Sequence, residues 1–203
     1  KSLMKIFFDH QIFNIQKYGG ISNYFYNLIK ILETNAKLNV KIFSPFYINE
    51  YINNLKNNTV TGFKLNFNKI LLNEFINKNL INYGISRFKP DLVHSTYYNV
   101  YDTKIKKVLT VYDMIHEKYP NYFINQKLSE KKKISCNHAD HIICISNNTK
   151  IDLIEKFKIK ESKISVIYLG ADHLNQIESR KLNIEFKFIL YVGSRKNYKN
   201  FRL

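Results

Sequence analysis

With 203 residues, 45% of them hydrophobic, the chain is long enough to bury a substantial core, which excludes disorder as its default state. Its 32 Lys and Arg outnumber 16 Asp and Glu, and the resulting charge of +16 makes anions the natural partners: nucleic acid, an acidic membrane surface or a phosphorylated small molecule. No apolar run reaches the roughly 18 to 20 residues that span a bilayer, no signal peptide opens the chain, and Cys136 and Cys144 lack zinc-type spacing, so the sequence reads as cytosolic with reduced, buried thiols.

Met4 to Phe13 is rich in β-branched and aromatic residues and predicts a strand. Gly19-Gly20 then leads into Ile21, Tyr24, Phe25, Leu28, Ile29 and Leu32 at helical spacing. Val40 to Ser44 predicts a second strand stopped by Pro45, followed by a helix near 47–56 and a short strand near 60–65. The stripe Leu71, Leu72, Phe75, Ile76, Leu80, Ile81 and Ile85 predicts a helix running to about Phe88, ended by Pro90. Strand signals follow at Asp91–Ser95 and Val108–Tyr112, then a Lys-rich helix at about 127–139 and a strand at His141–Ser146. Ser146 suits the N-cap of a helix carrying Ile151, Leu153, Ile154 and Phe157. Strands are expected again at Ile164–Tyr168 and, after a polar segment at 171–185, at Phe186–Val192.

This alternation of helices with near-continuous apolar strands predicts an α/β fold with a doubly wound, mostly parallel Rossmann-like sheet. Binding sites in such sheets lie beyond the carboxyl ends of the strands. Residues 4–180 are expected to form one domain, and 186–203 to open a second with its first strand. The last unit stops at Leu203 without its helix, and the expectation is of a fragment.

Four places carry candidate chemistry. Gly19 and Gly20 give a backbone free of Cβ atoms at a helix N-terminus, which suits close approach by phosphate or equally an ordinary turn; the pattern matches neither GxGxxG nor a P-loop. Tyr112-Asp113-Met114-Ile115-His116-Glu117 follows a strand, so its carboxylate and imidazole fall where a crevice should lie. Asp113 can as well cap the following turn. His94 and Tyr97-Tyr98, at the end of another strand, are candidates for a neighbouring wall, although a core histidine is the simpler reading of His94. Arg195 and Lys199 beyond Gly193 offer the fork and point charge that a diphosphate requires, or a basic surface loop. The lysines at 104, 106, 107, 127, 131, 132 and 133 read as a solvated face, with anionic lipid as a possible seat. No metal constellation and no G-x-S-x-G elbow are present.

Taken in order, six stretches resemble the retaining family 4 glycosyltransferases of the two-domain GT-B type, especially bacterial mannosyltransferase-like enzymes: Tyr18-Gly-Gly-Ile-Ser-Asn-Tyr-Phe, Pro90-Asp-Leu-Val-His-Ser, Val108-Leu-Thr-Val-Tyr-Asp-Met-Ile-His-Glu, Ala139-Asp-His-Ile-Ile-Cys-Ile-Ser, Lys163-Ile-Ser-Val-Ile-Tyr-Leu-Gly, and Phe188-Ile-Leu-Tyr-Val-Gly with Tyr198-Lys-Asn-Phe. The resemblance implies a nucleotide-sugar donor held mainly by a C-terminal domain, an acceptor held by the N-terminal one, and transfer without a metal or other cofactor. On that reading Gly19, Gly20, Arg195 and Lys199 serve the donor phosphates, Asp113 and His116 face the reacting sugar or the acceptor, and His94 and Tyr97 lie on the acceptor side. The family commonly has histidine where this chain has Tyr112, and its paired-glutamate donor motif is expected outside these residues, leaving the chain inactive alone.

The function so implied is transfer of a hexose, mannose among the candidates, to a glycan or lipid-linked acceptor in surface polysaccharide or lipopolysaccharide synthesis, at the cytoplasmic face of an acidic inner membrane. Two rivals stand beside it. One is a basic nucleic-acid-binding α/β module without enzymatic activity, and the other a sugar-nucleotide-binding scaffold that has lost catalysis.

Overall fold

The computed structural model of the chain describes residues 3–56, 58–65, 70–123, 127–171, 186–193, 195 and 201. Met4–Phe8 forms β1, after which the apolar run bends into a short helix, α1 (Gln11–Ile15), rather than staying extended to Phe13. Asp9 drives the bend: its buried carboxylate accepts hydrogen bonds from the Gln11 amide (3.3 Å) and side chain (2.6 Å), which suits a turn and not a strand. Helix α2 (Gly20–Leu32) follows.

Strand β2 (Leu38–Tyr47) runs straight through Pro45, where the sequence suggested a stop. A proline offers no N–H to a ladder, and the pairing of β2 with β3 (Val60–Lys64) shifts register between Phe43 and Phe46 to accommodate it. Asn77 of α3 (Ile70–Phe88) bonds both backbone groups of Phe46, accepting from its N–H at 2.9 Å and donating to its C=O at 2.8 Å. Between β2 and β3 the expected helix is only a 3₁₀ turn, Tyr51–Asn54.

The second half keeps close to expectation. Strands β4 (Leu92–Ser95) and β5 (Lys106–Val111) precede a one-turn helix, α4 (Ile115–Lys118), and then α5 (Lys127–His138), β6 (His141–Cys144), α6 (Asn147–Phe157) and β7 (Ile164–Val166). Ser146 caps α6, its hydroxyl accepting the Thr149 amide at 3.1 Å, an interaction worth about 1 kcal/mol.

All six pairings are parallel, in the order β3-β2-β1-β4-β5-β6-β7. Both faces are covered, as a buried parallel sheet requires. Phe25 and Ile29 of α2 pack on Ile6, Phe8, Val40 and Ile42, while Ile81 and Ile85 of α3 pack on Phe7, Phe43 and Val93 across the sheet. Cys136 of α5, Ala139 just beyond it, and Leu153 and Phe157 of α6 enclose Leu109, Val111, Ile142 and Cys144. Both cysteines are free and buried, and burial pushes their thiols up to about 12 for Cys136 and about 11 for Cys144, which keeps them protonated and unreactive.

Over Phe186–Val192, where a strand is expected, the described residues take no strand conformation, and Ile189 is fully exposed (100%). Among the described residues no helix is long and apolar enough to cross a membrane.

Candidate active site

Because every strand runs the same way, the segments leaving β1, β4, β5, β6 and β7 emerge on one rim. From β1 the chain steps outward to β2 and β3, then returns to β4 on the other side of β1. The loops after β1 and β4 therefore part company, and this switch point is where an open α/β sheet forms its crevice.

At the base of these two loops lies Asp9, a residue that the sequence did not single out. Its buried carboxylate accepts from the Thr96 amide (3.0 Å), the Thr96 hydroxyl and the Tyr101 hydroxyl (3.1 Å), besides Gln11. Nearby, the Ile12 amide donates to the Thr96 hydroxyl at 3.1 Å. These bonds join the two diverging loops, so Asp9 serves as a structural anchor.

Gly19 and Gly20 stand on the same rim, at the start of α2. A Cβ at Gly19 would lie 2.2 Å from the Gln16 carboxamide oxygen, which accepts the Ser22 amide at 3.1 Å and caps the helix. A side chain at Gly19 would displace this carboxamide from the cap, whereas a Cβ on Gly20 would meet open space. Gly20 faces Gly170, beyond β7, across a groove of about 290 Å³ also lined by Asn23, Tyr24, Leu28 and Leu169. One turn into α2, Tyr24 sets its ring edge-on to that of Tyr112, with centroids 5.7 Å apart, and so connects the glycine pair to the loop after β5.

That loop carries Asp113, whose side chain is 48% exposed. One of its oxygens accepts the Ile115 amide at 3.1 Å, so it does cap the turn while still presenting its carboxylate to the rim. Tyr97 lies beside it: burial raises the Tyr97 phenol above its usual value and the negative charge of Asp113 adds to the rise. Tyr97 in turn packs on Tyr98, ring centroids 4.5 Å apart. His116 stacks on Phe123 at 3.9 Å. Burial, then the nearby Lys132 ammonium, hold the His116 imidazole below its ordinary value, against the opposing pull of Asp113 and Glu117. It is therefore neutral near pH 7 and able to donate or accept a hydrogen bond.

Lys132 is the second residue missed. Read as part of a solvated face, it is in fact 1% exposed. Its ammonium donates to Glu117 Oε2 and to the Asp113 carbonyl, both at 2.9 Å, and sits over the Tyr98 ring. A signal was available: Leu128, Lys132, Cys136 and Ala139 recur at three- and four-residue steps, so Lys132 occupies a core position of α5.

One expectation needs correction. His94 is not a wall of the crevice but a core residue, 6% exposed, lying between the rings of Phe8 (5.3 Å) and Phe25 (5.2 Å) and sharing a 2.9 Å hydrogen bond with Thr110. Its side chain points to the α2 face because alternate residues of β4 face opposite sides of the sheet. The Arg195 guanidinium stacks on Phe201, 4.5 Å from the ring centre. Lys199 lies outside the described residues. No group of three or more His, Cys, Asp or Glu side chains gathers as metal ligands would, among the described residues.

This fold is shared with two solved structures. Anabaena Alr3699/HepE, solved in complex with UDP, is 14% identical with a TM-score of 0.54, and the match covers 83% of this chain and 44% of that one. The lipopolysaccharide outer core galactosyltransferase WaaB, solved in its apo form, is 17% identical with a TM-score of 0.53 over 81% of this chain and 45% of its own. The chain thus spans less than half the length of either structure. No curated protein sequence matches it. The family model for Glycosyltransferase Family 4 aligns with residues 18–173, from the turn before α2 to the segment beyond β7, and the chain belongs to that family.

Proposed function

We propose that this chain is the acceptor-side part of a retaining glycosyltransferase that moves a hexosyl group, mannose being one candidate, from a nucleotide sugar to a glycan or lipid-linked acceptor of surface polysaccharide. The observation that supports the reading is that Gly20, Tyr97, Asp113 and His116 all lie in segments that follow the carboxyl ends of strands, on one rim of an all-parallel sheet, in a chain of family 4. The UDP in the HepE structure and the lipopolysaccharide substrate in the name of WaaB support a nucleotide-sugar donor and a surface-glycan acceptor.

Each residue then has a role. The start of α2 at Gly20 turns backbone N–H groups and the positive end of the helix dipole toward the donor phosphates. The half-exposed Asp113 carboxylate accepts sugar hydroxyl hydrogen bonds and steadies positive charge developing at the anomeric carbon. His116, neutral near pH 7, hydrogen-bonds the reacting sugar or the acceptor hydroxyl. Arg195 and Lys199 neutralise the departing diphosphate once residues 186–203 form part of a donor-side domain distinct from 4–180. The reaction uses no metal, and the excess of lysine seats the enzyme on the acidic inner face of a membrane.

A transfer assay with the complete protein, a panel of sugar nucleotides and mixed surface-glycan acceptors tests this reading. Asp113→Asn and His116→Ala are each expected to lower turnover by about 10²-fold with unfolding midpoints unchanged. Wild-type turnover in both variants removes these residues from the site. Salt-dependent retention of RNA with no sugar transfer replaces the enzyme by a nucleic-acid module. The 203-residue chain itself is expected to bind sugar nucleotides weakly or not at all in isothermal titration, and tight binding contradicts the division of roles.

A further inference from the structure

Lys132 and Glu117 form an ion pair inside the fold, with side chains only 2% and 4% exposed. Taking two charges out of water is costly, and apolar side chains of similar volume at such positions are commonly as stabilising. Stability alone therefore does not explain the pair. What an apolar residue at 132 cannot do is satisfy the main-chain carbonyl of Asp113, which the same ammonium binds at 2.9 Å while lying 4.0 Å from the Asp113 carboxylate. The Tyr98 ring, from the loop after β4, closes the other side of the ammonium with its centre 5.4 Å away.

We infer that Lys132 is a positioning residue: held inside the fold by α5, its ammonium ties down both ends of the Asp113–Glu117 segment and so fixes where the Asp113 carboxylate and the His116 ring stand on the rim. One ammonium spans the segment from the Asp113 carbonyl at its start to the Glu117 carboxylate at its end. Between these two ties lie the Asp113 turn to Ile115 and the His116 ring on Phe123. The charged groups that face His116 are Lys132, Asp113 and Glu117, so the same ammonium that orders the loop also opposes protonation of the imidazole. For its effect on turnover the inference rests on the proposed transfer reaction; the ordering of the loop is measured without it.

The test uses three variants, beginning with Lys132→Met/Glu117→Leu, which replaces the buried pair by apolar groups and avoids a stranded charge. In this double variant, hydrogen exchange at the amides of residues 114–118 is expected to rise by about tenfold or more while the β5 and α6 amides keep their protection. In Lys132→Met alone the His116 titration followed by NMR shifts upward, and in Lys132→Arg, which keeps the charge, it stays in place. In the complete protein the double variant is expected to lower kcat by about 10- to 100-fold with the sugar-nucleotide KM little changed, because misplacing a reacting group costs the transition state more than the bound ground state. Wild-type exchange in the loop overturns the inference, and so does loosened exchange with wild-type kcat. If the wild-type complete protein transfers no sugar, the glycosyltransferase reading fails, while exchange and titration still decide whether Lys132 holds the loop.

Discussion

Enclosed between the rings of Phe8 and Phe25, the His94 imidazole is pushed by burial from 6.5 down to about 4. In the unfolded chain the same group titrates near its ordinary value, so between pH 6.5 and 4 the unfolded state holds a proton that the folded state does not. The contribution of neutral His94 is fully present above pH 6.5 and is lost as pH falls toward 4, amounting to about 3 kcal/mol from the two and a half units between the two values. Urea unfolding midpoints measured across this window are expected to fall with acid in the wild-type chain and to fall less steeply in His94→Gln, which cannot titrate. Equal slopes for the two proteins rule out His94 as the source. The residue is thus more telling as a core group than as a ligand, and its strand position explains why: at the penultimate residue of β4 its side chain faces α2 rather than the rim.

At the scale of elements, helix and sheet come close at Gly84 of α3, where an added Cβ would come within 2.6 Å of the Phe43 ring. Alanine is the better helix former by about 1 kcal/mol, yet Gly84→Ala is expected to destabilise the chain by about 1–3 kcal/mol in chemical denaturation, since the ring sits in a packed layer with Phe7 and cannot swing away. A variant as stable as wild type shows that α3 can retreat from the sheet. Most strands and the larger helices could be read from the sequence because their apolar periods and end signals agree, as with Ser146 before α6 and Pro90 after α3. The failures share a cause in contacts distant along the chain. Ile12 and Phe13 fit a strand locally, but Asp9 binds Thr96, 87 residues away, and turns them into α1. Pro45 signals a strand end until Asn77 arrives to satisfy Phe46. Similarly, the loop bearing Asp113 was visible as a cluster after an apolar strand, whereas Asp9 and Lys132 gain their roles only when β4 and α5 reach the crevice.

Across the whole molecule, the charge of +16 acts through exposed lysines such as Lys104, Lys131 and Lys133, distinct from the buried Lys132. Binding to vesicles rich in anionic lipid is expected at low ionic strength and should weaken steeply as salt rises to about 0.5 M, because the screening length drops to a few ångströms. Co-sedimentation with anionic and with neutral vesicles measures it, and equal binding to both excludes an electrostatic seat. The sheet order places its own constraint on the molecule. Strand β1 pairs with β2 on one side and with β4 on the other, and the Ile6 register partners are Val40 and Leu92. During synthesis on the ribosome, the second of these flanks stays bare until the nascent chain has grown by some fifty further residues, leaving an apolar strand with an open hydrogen-bonding side. Any pause in translation within α3 prolongs that exposure, so the interval before β4 emerges is when this protein most needs a chaperone.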